Sequence, residues 1–255
     1  MYSKILKKIS KKNSRIYNLK NESLSQVFFC RISYLITPFF IILNTSPNII
    51  TFINFIFAIL SIVFIFIGSG DLFNIGIMFY FLYRIVDFCD GSVARHYNKS
   101  TFYGRFIDGV ADIFLNAFLV FSLSFYSFKI FESFNLLALG CIAAILTSFD
   151  SFIYDKYAAL ARWSNSENKA KVLPYIKKTF MPKLPFLYND LITILLFLLP
   201  FLKFEKNFFF FSILSIFLIF IISALQTLVI HLYFAFINFN LNAKVKNRSK
   251  TPKKP

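Results

Sequence analysis

Charge is what this chain has least of. Only 16% of its 255 residues are Asp, Glu, Lys or Arg, where a soluble domain of that length carries about 25%. Too few charges are present to cover a water-facing surface. Seven glycines and eight prolines exclude a collagen-like repeat and a low-complexity disordered chain. The three cysteines, Cys30, Cys89 and Cys141, are an odd number set far apart in apolar sequence. They exclude a disulfide-stapled secreted module and read as reduced, buried thiols.

What the chain has instead is apolar bulk. Hydrophobic residues make up 57% of it, aromatic residues 20%, and the mean hydropathy is +0.64. Phenylalanine (38 residues), Lys, Ile and Asn are all abundant, and A/T-rich codons encode all four. The apolar residues fall in runs of about 20, the length a helix needs to cross a bilayer. The sequence predicts an all-α, polytopic membrane protein with six spans, over residues 49–68, 72–88, 106–128, 134–149, 191–204 and 207–236.

The 28 basic residues test that map. Eight precede the first span, two fall in residues 91–104, seven in 156–183 and six after 241, so 23 lie on one side. Lys129, Lys203 and Lys206 face the other side, and Arg84 and Arg105 sit at or within helix ends. Lys and Arg collect in cytoplasmic loops, so both termini are expected in the cytoplasm, in a bacterial inner membrane. An odd number of spans spoils the partition.

The chain reads as one membrane domain, residues 1–255, in three parts. Residues 1–48 form a basic arm followed by an amphipathic helix, residues 49–236 the six-span bundle, and 237–255 a basic cytoplasmic tail. Seven basic residues between Lys4 and Lys20 suit an anionic leaflet, at ~1 kcal/mol each. Residues 24–43 are apolar but interrupted by Arg31 and Pro38, which predicts an interfacial helix rather than a seventh span. No cleavable signal peptide and no internal repeat are expected.

The chemistry is concentrated in the acids. Of only 12 acidic residues, Asp87, Asp90, Asp108 and Asp112 fall at the end of the second span and the start of the third. Each intramembrane Asp costs ~2.5–3.5 kcal/mol on insertion scales, and four together repel one another unless cations sit among them. Asp87, Asp90, Gly91 and Ala94 share one helix face by spacing, as do Gly104, Asp108 and Asp112. A short loop makes the two helices antiparallel neighbours, so the acidic faces can meet. Four carboxylates in one crevice are hard oxygen ligands for Mg²⁺ or Mn²⁺, and a pair of such ions suits displacement at phosphorus. Small residues on these faces let a ligand lie against helix backbone, or simply let helices pack. Arg95 adds a cation suited to phosphate oxygens.

Residues 87–112 read D-F-C-D-G-S-V-A-R-H-Y-N-K-S-T-F-Y-G-R-F-I-D-G-V-A-D. This resembles, at every fixed position, the D-x2-D-G-x2-A-R-x8-G-x3-D-x3-D signature of the CDP-alcohol phosphotransferases, also called CDP-alcohol phosphatidyltransferases. Ser46-Pro47-Asn48-Ile49-Ile50-Thr51 is similar to the family's Pro-Asn-x-x-Thr lead into the first span. The six-span layout and the amphipathic lead-in also resemble the family.

That resemblance implies transfer of a substituted phosphate from a CDP-alcohol to a second alcohol, with release of CMP. It implies Asp87, Asp90 and Asp108 as metal ligands and Asp112 as general base that also touches a metal. Gly91, Ala94, Arg95 and Gly104 would line the nucleotide pocket, with Asn48 and Thr51 as contacts from the first span. The expected cofactor is Mg²⁺ or Mn²⁺, two ions. The expected partners are CDP-diacylglycerol or another CDP-alcohol, a small alcohol acceptor, the lipid bilayer and a second copy of the chain. No nucleic-acid partner is expected. The signature is shared with enzymes that transfer a CDP-linked head group to diacylglycerol, so it leaves the donor open. A cation-coupled transporter would spread its acids over several spans and toward the midplane, unlike this cluster.

Other polar residues carry less. The basic stretch Lys156, Arg162, Lys169, Lys171, Lys177, Lys178 and Lys183 reads as inside-positive topology before it reads as an acceptor-phosphate pocket. Asp190 is placed either to meet an acceptor hydroxyl or as an ordinary helix-end residue. His96 and His231 are not expected to be catalytic, Trp163 reads as an interfacial anchor, and Cys89 occupies a variable position of the motif.

Overall fold

The structure is a computed structural model that describes residues 2, 23–68, 71–99, 102–166, 184–202 and 205–236. Side chains of residues 102–105, 107, 158, 161–166 and 184–186 lie outside that description. So do the basic arm, Lys169 to Lys183 of the basic stretch, and the C-terminal tail.

Among the described residues the chain is all-helical, with seven helices: α1 Leu24–Ile42, α2 Pro47–Ile67, α3 Leu72–His96, α4 Phe102–Phe131, α5 Phe134–Ser166, α6 Leu184–Leu202 and α7 Lys206–Ala235. Six of them are long and apolar enough to cross a membrane, which makes the chain an integral, multi-pass membrane protein. Five of them coincide with expected spans and Leu24–Ile42 also qualifies, while the remaining expected span falls in α6, whose described side chains begin at Leu187. Pro38 sits inside α1 without ending it.

Helices also run past the expected ends of the spans. The second expected span ends near residue 88 and its helix, α3, continues to His96; the fourth ends near 149 and its helix, α5, continues to Ser166. Polar residues mark where the hydrocarbon ends, but nothing there breaks backbone hydrogen bonding, so the helices extend beyond it. Termination has its own chemistry. After α3, Asn98 adopts φ 56°, and Lys99 N–H donates to the Ala94 carbonyl at 2.9 Å. Asn tolerates this left-handed turn better than most residues.

Antiparallel hairpins build the bundle, and close approach holds them. A Cβ on Gly76 of α3 would lie 2.9 Å from the backbone nitrogen of Ile65 in α2. Gly140 of α5 meets Ser124 of α4 in the same way, and Ser124 Oγ donates across that interface to the Leu137 carbonyl at 2.9 Å. With little hydrophobic drive between helices in lipid, small residues and such hydrogen bonds hold the contacts. At the bundle end away from the acids, Phe73 stacks on Tyr126 at 4.2 Å and Phe209 packs edge-on against both. There Lys129 Nζ donates to the Phe66 and Ile67 carbonyls at 2.9 and 3.3 Å. A cation at the C-terminus of α2 satisfies orphaned carbonyls and complements the helix dipole.

Helix α1 lies along the later part of α3. Phe29 packs 5.9 Å from Phe81 and 5.7 Å from the Arg84 guanidinium carbon. Cys89 Sγ lies 3.6 Å from the Ser33 carbonyl, and Tyr97 donates to the Ile41 carbonyl at 3.2 Å. The first turn of α1 is fully capped. Asp190 of α6 accepts from Leu24 N–H at 3.0 Å and Ser25 N–H at 2.7 Å. Ser23 and Gln26 form a reciprocal capping box, and Val27 N–H reaches the Ser23 carbonyl. Asp190 thus lies inside α6 rather than at its end, and its carboxylate caps the start of another helix. No disulfide joins the three cysteines.

Candidate active site

Three helices meet around the acids. Helix α2 begins with Ser46 as its cap, whose hydroxyl accepts from Ile49 N–H at 3.4 Å, and with Pro47 in the first turn. Proline is suited there because its missing N–H would have no partner anyway. This fixes the register in which Asn48, Thr51 and Asn54 face α3 and α4. From α3 come Tyr83, Asp87 and Asp90; from α4 come Asp108 and Asp112. A cavity of ≈ 890 Å³ opens between these helices, lined among others by Asn48, Thr51, Asn54, Tyr83, Asp108 and Asp112.

The structure brings three of the four aspartates together. One carboxylate oxygen from each of Asp87, Asp108 and Asp112 lies within 4.8 Å of the others. An octahedral cation with oxygens at ~2.1 Å spaces its ligands ~3 to ~4.2 Å apart, so small side-chain rotations bring the trio to coordinating distance. The donor set is all hard oxygen, as such an ion requires. Asp90 lies outside this trio. It is 9% exposed, and its Oδ2 accepts from the Thr51 hydroxyl at 2.8 Å.

Neighbours fix the individual carboxylates. The Tyr83 hydroxyl donates to Asp112 Oδ1 at 2.6 Å, and Asn54 Nδ2 donates to Asp87 Oδ1 at 3.3 Å. The buried Arg84 guanidinium interacts electrostatically with Asp87 and Asp112; its Nε is buried without a hydrogen-bond partner. Each held carboxylate leaves its second oxygen for a ligand.

Other expected residues are placed as follows. Gly91 and Ala94 lie on the motif face of α3, and a Cβ on Gly91 would meet the flexible head of Arg95 at 3.2 Å. Arg95 is exposed, with Nη2 donating to Ser92 Oγ at 3.3 Å. Gly104 falls in the first turn of α4, its surroundings outside the description. His96 packs edge-on against Tyr97. His231 is 1% exposed and packs between Tyr154 and Tyr157, far along α7. The Arg162 and Trp163 side chains lie outside the described residues.

Sequence reading missed Asn54, Tyr83 and Lys99, which also lines the cavity. Two of them carried a signal. Tyr83 precedes Asp87 by four residues and Asn54 follows Thr51 by three, which places each on the functional face of its helix.

Fold and site together define a multi-pass helical membrane protein with a carboxylate cluster that could hold a cation at the wall of a largely apolar cavity. The CDP-alcohol phosphatidyltransferase model matches residues 44–237, and the chain belongs to that family. No curated protein matches the chain. It is a phosphotransferase for substituted phosphate groups, drawing its phosphatidyl group from a CDP-alcohol in phospholipid synthesis. The family uses a divalent metal, and Asp87, Asp108 and Asp112 are residues that could hold one.

Proposed function

We propose that the chain moves a phosphatidyl group from CDP-diacylglycerol to the hydroxyl of a small water-soluble acceptor, releasing CMP. The observation that carries this is the convergence of Asp87, Asp108 and Asp112 on one point at the wall of the α2–α3–α4 cavity. In chemical terms the acceptor oxygen forms a bond to the β-phosphorus of the donor. The bond from that phosphorus to the oxygen bridging to CMP breaks, and CMP leaves with the electron pair.

In this reading Asp87, Asp90 and Asp108 bind cations, and Asp112 takes the acceptor's proton while also facing the cation site. Bound there, two Mg²⁺ or Mn²⁺ ions supply the positive charge that binds the diphosphate and eases departure of CMP. Thr51 and Asn48 contact the nucleotide from α2; Gly91, Ala94, Arg95 and Gly104 contact it from α3 and α4. The Tyr83 hydrogen bond supports the base assignment. It occupies Asp112 Oδ1 and leaves Oδ2 to accept a proton.

The same reading takes 1–255 as one membrane domain, with both termini and the site at the cytoplasmic face and α1 in the interface. One observation supports an interfacial α1. Arg31, in its middle, is exposed, which a spanning helix would leave facing hydrocarbon.

The test is CMP release by purified protein in Mg²⁺. CDP-diacylglycerol is offered with glycerol phosphate, inositol phosphate, serine or inositol, and CDP-choline with diacylglycerol forms the opposing arm. Release dependent on CDP-diacylglycerol and one soluble acceptor supports the proposal. Release only from CDP-choline reverses the donor.

A further inference from the structure

Asn54 is a polar residue in the apolar helix α2, 5% exposed, on the wall of the cavity that Asp108 and Asp112 also line. Its orientation is fixed by chemistry. A carboxylate only accepts, so the amide NH₂ must be the group that faces Asp87 Oδ1 at 3.3 Å. The amide oxygen is thereby turned elsewhere, and it is buried with no hydrogen-bond partner. A leucine of the same size would suit the packing of α2 and avoid that unsatisfied acceptor, so helix packing alone gives no reason for an amide there. Around it, the acids of α3 and α4 collect cations and their bound water, and these are the species that an orphaned oxygen attracts.

We infer that the Asn54 amide oxygen is a further oxygen of the cation site formed with Asp87, Asp108 and Asp112, acting on the ion or on its bound water. This rests on the reading of those aspartates as a divalent-cation site. Asn54 then has two duties: its NH₂ holds Asp87 in position, and its oxygen completes the shell. Loss of a residue in such a supporting shell typically weakens metal binding 10- to 100-fold.

The experiment titrates Mn²⁺ against the purified full-length protein, reading free Mn²⁺ by electron paramagnetic resonance, with thermal unfolding measured in chelator. Asn54→Leu is expected to weaken Mn²⁺ binding at least ~10-fold, with no fall in the chelated melting temperature. Asn54→Asp keeps an oxygen in place and adds charge, and is expected to bind Mn²⁺ at least as tightly as the unaltered protein. If Asn54→Leu yields no folded protein, Asn54→Ala takes its place with the same expectation. Binding by the leucine or alanine variant within twofold of the unaltered protein overturns the inference. So does an aspartate variant weakened as much as the leucine one, because the bond to Asp87 would then be all that matters. Absence of Mn²⁺ binding by the unaltered protein overturns the cation reading itself, a distinct result.

Discussion

Tyr83 on α3 and Asp112 on α4 are joined by a 2.6 Å hydrogen bond, phenol to carboxylate, across the interface that forms the cavity wall. The carboxylate is aimed by a residue on the neighbouring helix. Tyr83→Phe keeps the ring and its packing and removes only that bond. We predict a fall in kcat of roughly tenfold, from a mispositioned proton acceptor, with KM for the CDP-alcohol within about twofold. A matching rise in KM would assign the phenol to substrate binding instead.

Arg84 gives a prediction of opposite sign in two measurements. Its positive charge interacts with Asp87 and Asp112 and repels any cation placed among them. Arg84→Gln should therefore tighten Mn²⁺ binding several-fold, since removing a buried positive charge removes a repulsion that the low dielectric strengthens. Without cation the same change leaves the carboxylates less compensated, so the melting temperature in chelator should fall. Weaker Mn²⁺ binding would mean that Arg84 supports the site by packing.

Asp190 ties the start of α1 to α6 through two backbone N–H groups. Asp190→Ala removes a cap worth ~1 kcal/mol, with a range of about 0.5–2. We expect a lower melting temperature in detergent and unchanged turnover per folded molecule. Loss of acceptor affinity at unchanged stability would instead place Asp190 in the acceptor site.

Topology can be read with reporters. If α1 lies in the interface, fusions after Lys250 and at Lys203 report opposite sides, the first cytoplasmic. If α1 crosses, the side of the N-terminus changes while that of Lys250 does not. A reporter ahead of residue 23 that faces away from the cytoplasm would remove the interfacial helix.

The sequence alone made the acidic cluster legible because helix spacing and the cost of burying charge are both local arguments. Asp87, Asp108 and Asp112 meet as that spacing requires. The same holds for the start of α2, where Ser46, Pro47 and Thr51 each do local work in capping or facing Asp90. Helix continuity is less legible than apolar length: residues 24–43 are interrupted by Arg31 and Pro38, yet α1 runs unbroken through Pro38. The Asp190 cap joins residues 165 and 166 positions apart, which no local pattern encodes. Asn54 and Tyr83 stood in apolar runs where packing was the ordinary expectation; only the partner helix shows what they hold.

The central claim is that Asp112 serves the chemical step while the remaining acids hold cation and donor. Its most direct test is Asp112→Asn, assayed for CDP-diacylglycerol affinity and for CMP release in the same Mg²⁺ buffer. The account predicts donor affinity close to that of the unaltered protein, with release slowed ~10²–10⁴-fold, the usual worth of a general base. Release at the unaltered rate would contradict it, and so would a loss of donor binding as complete as that of Asp87→Ala.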